Sequence, residues 1–167
     1  MFYYFAYGSC MCPVDLKRSV GESTHSYVIG PAHLKGYRLG FYHRNQTRNC
    51  GALDIVPDAA SVVHGVLYQL PDRLMTPLDA REGVHMGCYR RETIQVECQG
   101  CHYKNVQTYS VVNKLPAELA PNDWYFEVVM RGAIVCGLPE SYCWQLFDHM
   151  SRLQTKPEPP ASLPLVS

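Results

Sequence analysis

The chain begins with the stretch Tyr4-Phe5-Ala6-Tyr7-Gly8-Ser9-Cys10-Met11, and Pro13 follows almost at once. Apolar and aromatic residues lead into a glycine and a small polar residue, and proline is favoured in the first turn of a helix. This order predicts a strand, a tight turn at Gly8-Ser9-Cys10 and a helix over residues 13–20. Unpaired N–H groups at the start of a helix favour anions, so the turn is a candidate cradle for a carboxylate or a phosphate. Many turns of this composition bind nothing, and the rest of the chain has to decide between the two interpretations.

Length and charge narrow the class of partner. A chain of 167 residues is long enough to bury a core as one domain. Its 15 basic and 15 acidic residues are scattered, so no patch for nucleic acid or for a membrane surface is visible. The amino-terminal residues do not resemble a signal peptide, and no apolar run is long enough to span a bilayer. We therefore expect a cytoplasmic protein that acts on a small molecule.

The eight cysteines are expected to be mostly buried, small apolar residues. One group, Cys98-Gln99-Gly100-Cys101-His102, matches the pattern of c-type haem attachment and also half of a zinc site. Its flanks alternate as two strands joined through Gln99-Gly100, which predicts a tight hairpin, and no second cysteine pair has similar spacing. We predict no cofactor and no metal.

The remaining segments predict an α+β fold. Strands are expected at 27–29, 37–42, 52–56, 63–70, 89–98 and 103–112, with a turn at Pro57-Asp58. Helices are expected from about 71 to 82, from about 121 to 136 and from 140 to about 153, the last two with an apolar face. Trp124 and Trp144 are expected to be part of the core. Residues 1–154 would form one domain, and the proline-rich residues 155–167 a disordered tail.

A glutamate stands where a helix is predicted to end. Glu82 lies in the last helical turn before Gly83, beside the negative end of the helix dipole. If the carboxyl is also desolvated, both effects favour the protonated form and move its pKa towards that of a general acid or base. The simpler interpretation is a solvated glutamate next to Arg81.

Several blocks, taken in order over residues 3 to 150, resemble the gamma-glutamylcyclotransferase family. They are Tyr4-Phe5-Ala6-Tyr7-Gly8-Ser9, Gly65-Val66-Leu67-Tyr68, Leu78-Asp79-Ala80-Arg81-Glu82-Gly83-Val84, Gly87-Cys88-Tyr89, Arg131-Gly132-Ala133 and Gly137-Leu138-Pro139-Glu140-Ser141-Tyr142. The resemblance implies a small mixed β-barrel with flanking helices, and an active site at the amino-terminal turn. It also implies cleavage of γ-glutamyl amides to 5-oxoproline and a free amino acid or amine, without metal or cofactor. It leaves room for a homodimer.

The resemblance also implies roles for particular residues. Glu82 falls on the catalytic glutamate of the family, and Tyr7, Gly8 and Ser9 on its substrate-binding turn. Tyr89 and Tyr125 fall where similar proteins have tyrosines that line the pocket. Cys10 completes the predicted substrate-binding set but departs from the family, which usually has asparagine there. A thiol is a weaker hydrogen-bonding group than an amide, so the choice of substrate is open.

The chemistry of such a substrate suits this set of residues. A γ-glutamyl compound carries its own nucleophile, the α-amine, so a base and a few hydrogen-bond donors are sufficient. Two alternatives remain open. Cys10 could be the nucleophile of a thiol-dependent amidase or acyltransferase, with a histidine as base. The chain could also be a binding module without catalysis, because a fold does not determine its chemistry.

Overall fold

The computed structural model describes residues 1–156, which form five strands and four helices. The strands are β1 (Phe2–Ala6), β2 (Val28–Asn45), β3 (Cys50–Leu70), β4 (Tyr89–Cys98) and β5 (Cys101–Val111). The helices are α1 (Pro13–Val20), α2 (Met75–Arg81), α3 (Asp123–Val135) and α4 (Glu140–Thr155), with short 3-10 turns at Ser9–Met11, His25–Tyr27, Asp72–Leu74 and Val84–Met86.

The strands close into a barrel in the order β1-β3-β2-β4-β5. β1 pairs antiparallel with β3 along its whole length and touches β5 in parallel at a single register position, Tyr4 opposite Gln107. The barrel is therefore mixed, and the predicted α+β barrel with flanking helices is confirmed. The closure brings the carboxyl end of β1, and the turn that follows it, beside strands that come much later in the sequence.

The predicted turn at Pro57-Asp58 is wrong, because β2 and β3 are each continuous. Pro57 lies within β3 opposite Tyr37, and the register then moves from that pair to Lys35 opposite Val62. The extra residues of β3 form a bulge opposite Gly36, whose φ of +82° suits glycine. Pro57 forms the last pair before this bulge, a position at which a strand tolerates proline.

The hairpin prediction is confirmed. β4 and β5 pair up to Cys98 opposite Cys101, and the two turn residues Gln99 and Gly100 have φ values of +51° and +77°. Such positive values at both central positions are those of a type I′ turn. The eight cysteines are all free, and four of them are buried. Across residues 1–156, no three side chains of His, Cys, Asp or Glu come together as a metal ion would require.

Helix α3 packs directly on the first turn of the chain. The Asn122 side chain accepts a hydrogen bond of 2.8 Å from the N–H of Tyr125, which caps the start of the helix. At Gly132 a Cβ atom would lie 2.7 Å from the nitrogen of Cys12 and 2.8 Å from Cβ of Met11. Glycine therefore allows α3 to approach the turn closely enough for Tyr125 to reach the interior.

The prediction for the tryptophans is wrong for Trp144, which is 60 % exposed and packs edge-on against Phe147. Trp124 is half-buried and lies under the guanidinium of Arg48. An aromatic residue at helical spacing can lie at the border of the buried face, and local periodicity does not resolve that border. The predicted tail lies outside the described residues, except for Thr155, which still belongs to α4, and Lys156. None of the helices in residues 1–156 has the length and apolar character needed to cross a membrane.

Candidate active site

A cavity of about 640 Å³ opens at the end of β1. The seven residues that the sequence singled out come from four separate parts of the chain, and all of them line this cavity: Tyr7, Gly8, Ser9, Cys10, Glu82, Tyr89 and Tyr125. These residues span more than 100 positions of the sequence, so only the closure of the barrel and the packing of α3 bring them together.

The Glu82 carboxyl forms part of the cavity wall. Glu82 is the residue that caps α2, and Gly83 follows it with a left-handed φ of +64°, so the helix ends there and the chain turns. Only 16 % of the side chain is exposed. Burial raises the pKa of this carboxyl above its ordinary value, while the nearby Arg81 guanidinium acts in the opposite direction. The site therefore favours a carboxyl that can be protonated during a reaction.

Cys10 lies between Glu82 and Arg81. Its thiol donates to Oε1 of Glu82 over 3.2 Å, and Nε of Arg81 donates to the sulfur over 2.9 Å. Burial raises the pKa of the thiol to about 12, despite the lowering effect of Arg81. None of the seven histidines, all within residues 1–156, forms a hydrogen bond with the sulfur. A thiol that stays protonated and has no histidine beside it does not match the predicted thiol enzyme with a histidine base.

Arg81 belongs to the site, although the sequence analysis named it only as the neighbour of Glu82. Its Nη2 donates to Ser9 Oγ over 2.8 Å and to Asp15 Oδ2 over 2.7 Å, and its Nη1 donates to Ser19 Oγ. Asp15 is only 7 % exposed, so the pair is a largely desolvated one. No local pattern could have revealed this contact, because α1 and α2 meet only in the folded chain.

The tyrosine hydroxyls are already engaged with the backbone. Tyr7 donates to the carbonyl of Tyr109 over 2.6 Å, and Tyr89 donates to the carbonyl of Leu53 over 2.9 Å. Tyr125 differs, because its oxygen accepts from the N–H of Leu53 over 3.0 Å. The hydrogen of the Tyr125 hydroxyl is therefore not used in this contact, and the hydroxyl can donate a hydrogen bond to a substrate in the cavity.

The first turn offers backbone donors. Met11 N–H and Cys12 N–H close the 3-10 turn on the carbonyls of Gly8 and Ser9. Among residues 1–156, the N–H groups of Gly8, Ser9 and Cys10 donate to no other group. The predicted donors thus belong to the 3-10 turn that precedes α1, and not to α1, which begins three residues later at Pro13.

The mouth of the cavity is formed by the end of β2 and by the loop between β2 and β3. The end of β2 contributes His43 and Arg44, and the loop contributes Arg48; none of the three was predicted as a site residue. The Arg48 guanidinium lies 3.2 Å from the ring centroid of Trp124, an arrangement typical of cation–π stacking. His43 packs edge-on against Tyr89. Two arginines so close in sequence were the only available signal for this cationic rim.

The fold and the cavity are those of a small mixed barrel in which a buried glutamate lies beside a turn whose backbone N–H groups have no partner in residues 1–156. The model of the AIG2-like family matches residues 62–146, which is just over half of the chain. The chain belongs to the AIG2-like family.

Individual relatives agree with this assignment. YkqA of Bacillus subtilis (strain 168), which carries a provisional name as a gamma-glutamylcyclotransferase, is 35 % identical over 151 residues. The match covers 90 % of this chain but 53 % of YkqA, so the chain spans about half the length of that relative. The crystal structure of YkqA superposes with a TM-score of 0.83 at 34 % identity, over 90 % of this chain and 54 % of that one.

A second relative is the gamma-glutamylcyclotransferase of Bos taurus, which is 26 % identical over 84 % of this chain and 74 % of its own length. A solved gamma-glutamyl cyclotransferase structure superposes with a TM-score of 0.79 at 25 % identity, over 87 % of this chain and 85 % of that one.

Proposed function

We propose that this protein is a gamma-glutamylcyclotransferase-type enzyme that converts a γ-glutamyl amide to 5-oxoproline and a free amino acid or amine. One observation carries the proposal: Glu82, with its buried carboxyl, lines the same cavity as Gly8, Ser9 and Cys10, whose N–H groups have no acceptor in residues 1–156. The name of the Bos taurus relative supports the same reaction. No group of this chain needs to act as a nucleophile, because the substrate supplies its own.

Glu82 is proposed as the general base and then the general acid. Its Oε1 is held by Cys10, and Oε2 accepts no hydrogen bond from residues 1–156, so Oε2 is available to a ligand. Glu82 would take a proton from the α-ammonium group of the substrate. The freed amine would attack the γ-carbonyl carbon, forming the ring C–N bond.

The first turn is proposed as the site of charge stabilisation. Attack moves the carbonyl electron pair to the γ-oxygen, and the N–H groups of Gly8, Ser9 and Cys10 can donate to that oxyanion or to the α-carboxylate. The intermediate then breaks the bond to the leaving nitrogen, which receives the electron pair and a proton from Glu82. A second proton follows the same route from the ring nitrogen. No water is consumed.

The tyrosines are proposed to shape the cavity around the folded substrate. Tyr125 has a hydroxyl hydrogen left to donate, whereas the hydroxyl hydrogens of Tyr7 and Tyr89 are used in backbone contacts. We therefore assign a direct substrate contact to Tyr125, and to Tyr7 and Tyr89 the packing of the walls.

The test compares three variants by 5-oxoproline release from a panel of γ-glutamyl dipeptides, γ-glutamylamines and glutathione. Glu82→Gln should lose roughly 10²-fold to 10⁴-fold in kcat, the contribution typical of general acid–base catalysis. Cys10→Ala removes only the donor to Oε1 and should lose less than Glu82→Gln does, and Glu127→Gln, an exposed position on α3, should match the wild type. A larger loss from Cys10→Ala than from Glu82→Gln would favour a thiol enzyme.

The same panel separates the enzyme from a binding module. Tight, specific binding of one compound with no 5-oxoproline from any of them would contradict catalysis and support a non-catalytic module on this fold.

A further inference from the structure

We infer that Arg81 is a positioning residue: anchored on Asp15, its guanidinium holds the Cys10 thiol and, through it, the Glu82 carboxyl for proton transfer. This inference rests on the proposed function, since it concerns how the proposed base is oriented.

The anchor of Arg81 spans three elements. From the end of α2 its guanidinium reaches Asp15 Oδ2 over 2.7 Å and Ser19 Oγ, both on α1, and Ser9 Oγ over 2.8 Å in the first turn. Planar guanidinium groups with several donors in fixed directions lose little freedom per bond formed. The side chain is therefore fixed in place independently of Glu82.

In the hydrogen bond between Arg81 and the Cys10 thiol, only the arginine can be the donor. Nε of Arg81 occupies an acceptor side of the Cys10 sulfur at 2.9 Å, and arginine has no acceptor to offer in return. The single thiol hydrogen is thus left to donate to Oε1 of Glu82, 3.2 Å away. Nε of Arg81 also lies 3.5 Å from the same oxygen. These contacts hold Oε1, whereas Oε2 accepts no hydrogen bond from residues 1–156.

Arg81 is also the one cation among the groups that face Glu82 in residues 1–156 and influence its charge. Asp15 on α1 is negative, and the others are neutral near pH 7: Cys10, Tyr4, Tyr7, Tyr89, Tyr109 and Tyr125. His43, at the cavity mouth, is half-buried and has a lowered pKa, so it too is neutral. Without Arg81, burial and Asp15 would both favour the protonated carboxyl.

The experiment uses the full chain with three variants. Arg81→Gln alone leaves Asp15 buried and unpaired, so the informative neutral variant is the double replacement Arg81→Gln with Asp15→Asn. Arg81→Lys keeps the charge but cannot reach Asp15, Ser9 and Cys10 together. The matched control is Arg18→Gln, an exposed position on α1.

We expect the double variant to lose roughly tenfold to a hundredfold in kcat with little change in KM. The acid limb of its pH–kcat profile should move to higher pH, because the lowering effect of Arg81 on the pKa of Glu82 is larger than the raising effect of Asp15. Arg81→Lys should lose kcat while its acid limb stays near that of the wild type. Unchanged kcat and an unchanged acid limb in the double variant would overturn the inference.

A second readout does not need turnover. The Glu82 carboxyl can be titrated by ¹³C NMR in the wild type and in the double variant, and we expect a higher pKa in the latter. An equal or lower pKa would overturn the inference, even if no γ-glutamyl compound were turned over. Absence of 5-oxoproline from every compound with the wild type would instead overturn the proposed function, so the two failures can be told apart.

Discussion

The thiol of Cys10 donates a hydrogen bond to Oε1 of Glu82 over 3.2 Å, although the two residues lie 72 positions apart. The pair joins the turn after β1 to the residue that caps α2, and it does so at the wall of the cavity. A cysteine here serves as a donor to the carboxyl, because burial keeps the thiol protonated. The contact connects the departure from the family pattern at Cys10 to the residue proposed as the base.

The first prediction concerns thiol reactivity. Cys10 should react with iodoacetamide far more slowly than Cys101 at pH 8, because the pKa of Cys10 is raised to about 12 whereas Cys101 is exposed. Mass spectrometry of the alkylated peptides measures both rates. With Cys101→Ser as control, the slow rate at Cys10 should be unchanged. Rapid modification of Cys10 would revive the thiol-enzyme alternative.

The second prediction concerns stability and pH. The folded state raises the pKa of Glu82 above its unfolded value, so folding favours the protonated carboxyl. That contribution is fully present below the unfolded pKa, and it is lost as the pH rises through the folded pKa. Glu82→Gln mimics the protonated form. It should therefore have a higher Tm than the wild type at pH 7, while the difference narrows towards pH 4.

Thermal unfolding of both proteins between pH 4 and pH 8 measures this difference. Glu127→Gln, at an exposed site, should follow the wild-type curve. A Glu82→Gln variant that is less stable than the wild type at pH 7 would mean that the ion pair with Arg81 outweighs burial.

The third prediction compares the two tyrosines that contact Leu53. Tyr125→Phe leaves the N–H of Leu53 without an acceptor, and Tyr89→Phe leaves its carbonyl without that donor. Each change should cost about 1–3 kcal/mol in the free energy of unfolding, the penalty of a buried polar group that loses its partner. Urea denaturation measures the cost.

Activity should separate these two variants. Of these two tyrosines, only Tyr125 has a hydroxyl hydrogen that is free for a ligand, so Tyr125→Phe should reduce kcat/KM more than Tyr89→Phe does. Equal losses in kcat/KM would argue against a direct contact between Tyr125 and the substrate.

The fourth prediction concerns the mouth of the cavity. Arg48 stacks on Trp124, and its side chain donates to no other group in residues 1–156. Its N–H groups can donate to the carboxylate of the amino acid that leaves. Arg48→Ala should therefore raise KM for a γ-glutamyl amino acid by roughly tenfold, which corresponds to a loss of about 1.4 kcal/mol in binding free energy. KM for a γ-glutamylamine, whose leaving amine carries no carboxylate, should change little. Steady-state kinetics with γ-glutamylalanine and γ-glutamylethylamine test this, with the exposed Arg18→Gln as control.

Much of the local structure could be predicted from the sequence. The strand, turn and helix of the opening stretch, the hairpin at Gln99-Gly100 and the start of α3 at Asn122 are all present. Each depends on backbone stereochemistry or on capping within a few residues, so the neighbouring sequence is enough to predict it. The position of Glu82 at the end of a helix belongs to the same group.

The turn expected at Pro57 and the burial expected for Trp144 were wrong for a common reason. Both depended on which neighbour the segment would meet. β3 stays paired with β2 on both sides of the bulge that follows Pro57, and no element covers Trp144 in the described part of the chain. Local composition carries no information about such neighbours.

The tertiary structure alone decided which side chains meet around Glu82 at the cavity. Arg81 meets Asp15 and Cys10 because α1, α2 and the first turn converge once β1 has closed the barrel. Arg81 is 66 positions from Asp15 and 71 from Cys10, and the packing at this point leaves only 16 % of the Glu82 side chain exposed. Side-chain chemistry in sequence identified a carboxyl and a turn. Desolvation, which comes only from packing, determines that the carboxyl can be protonated at the cavity wall.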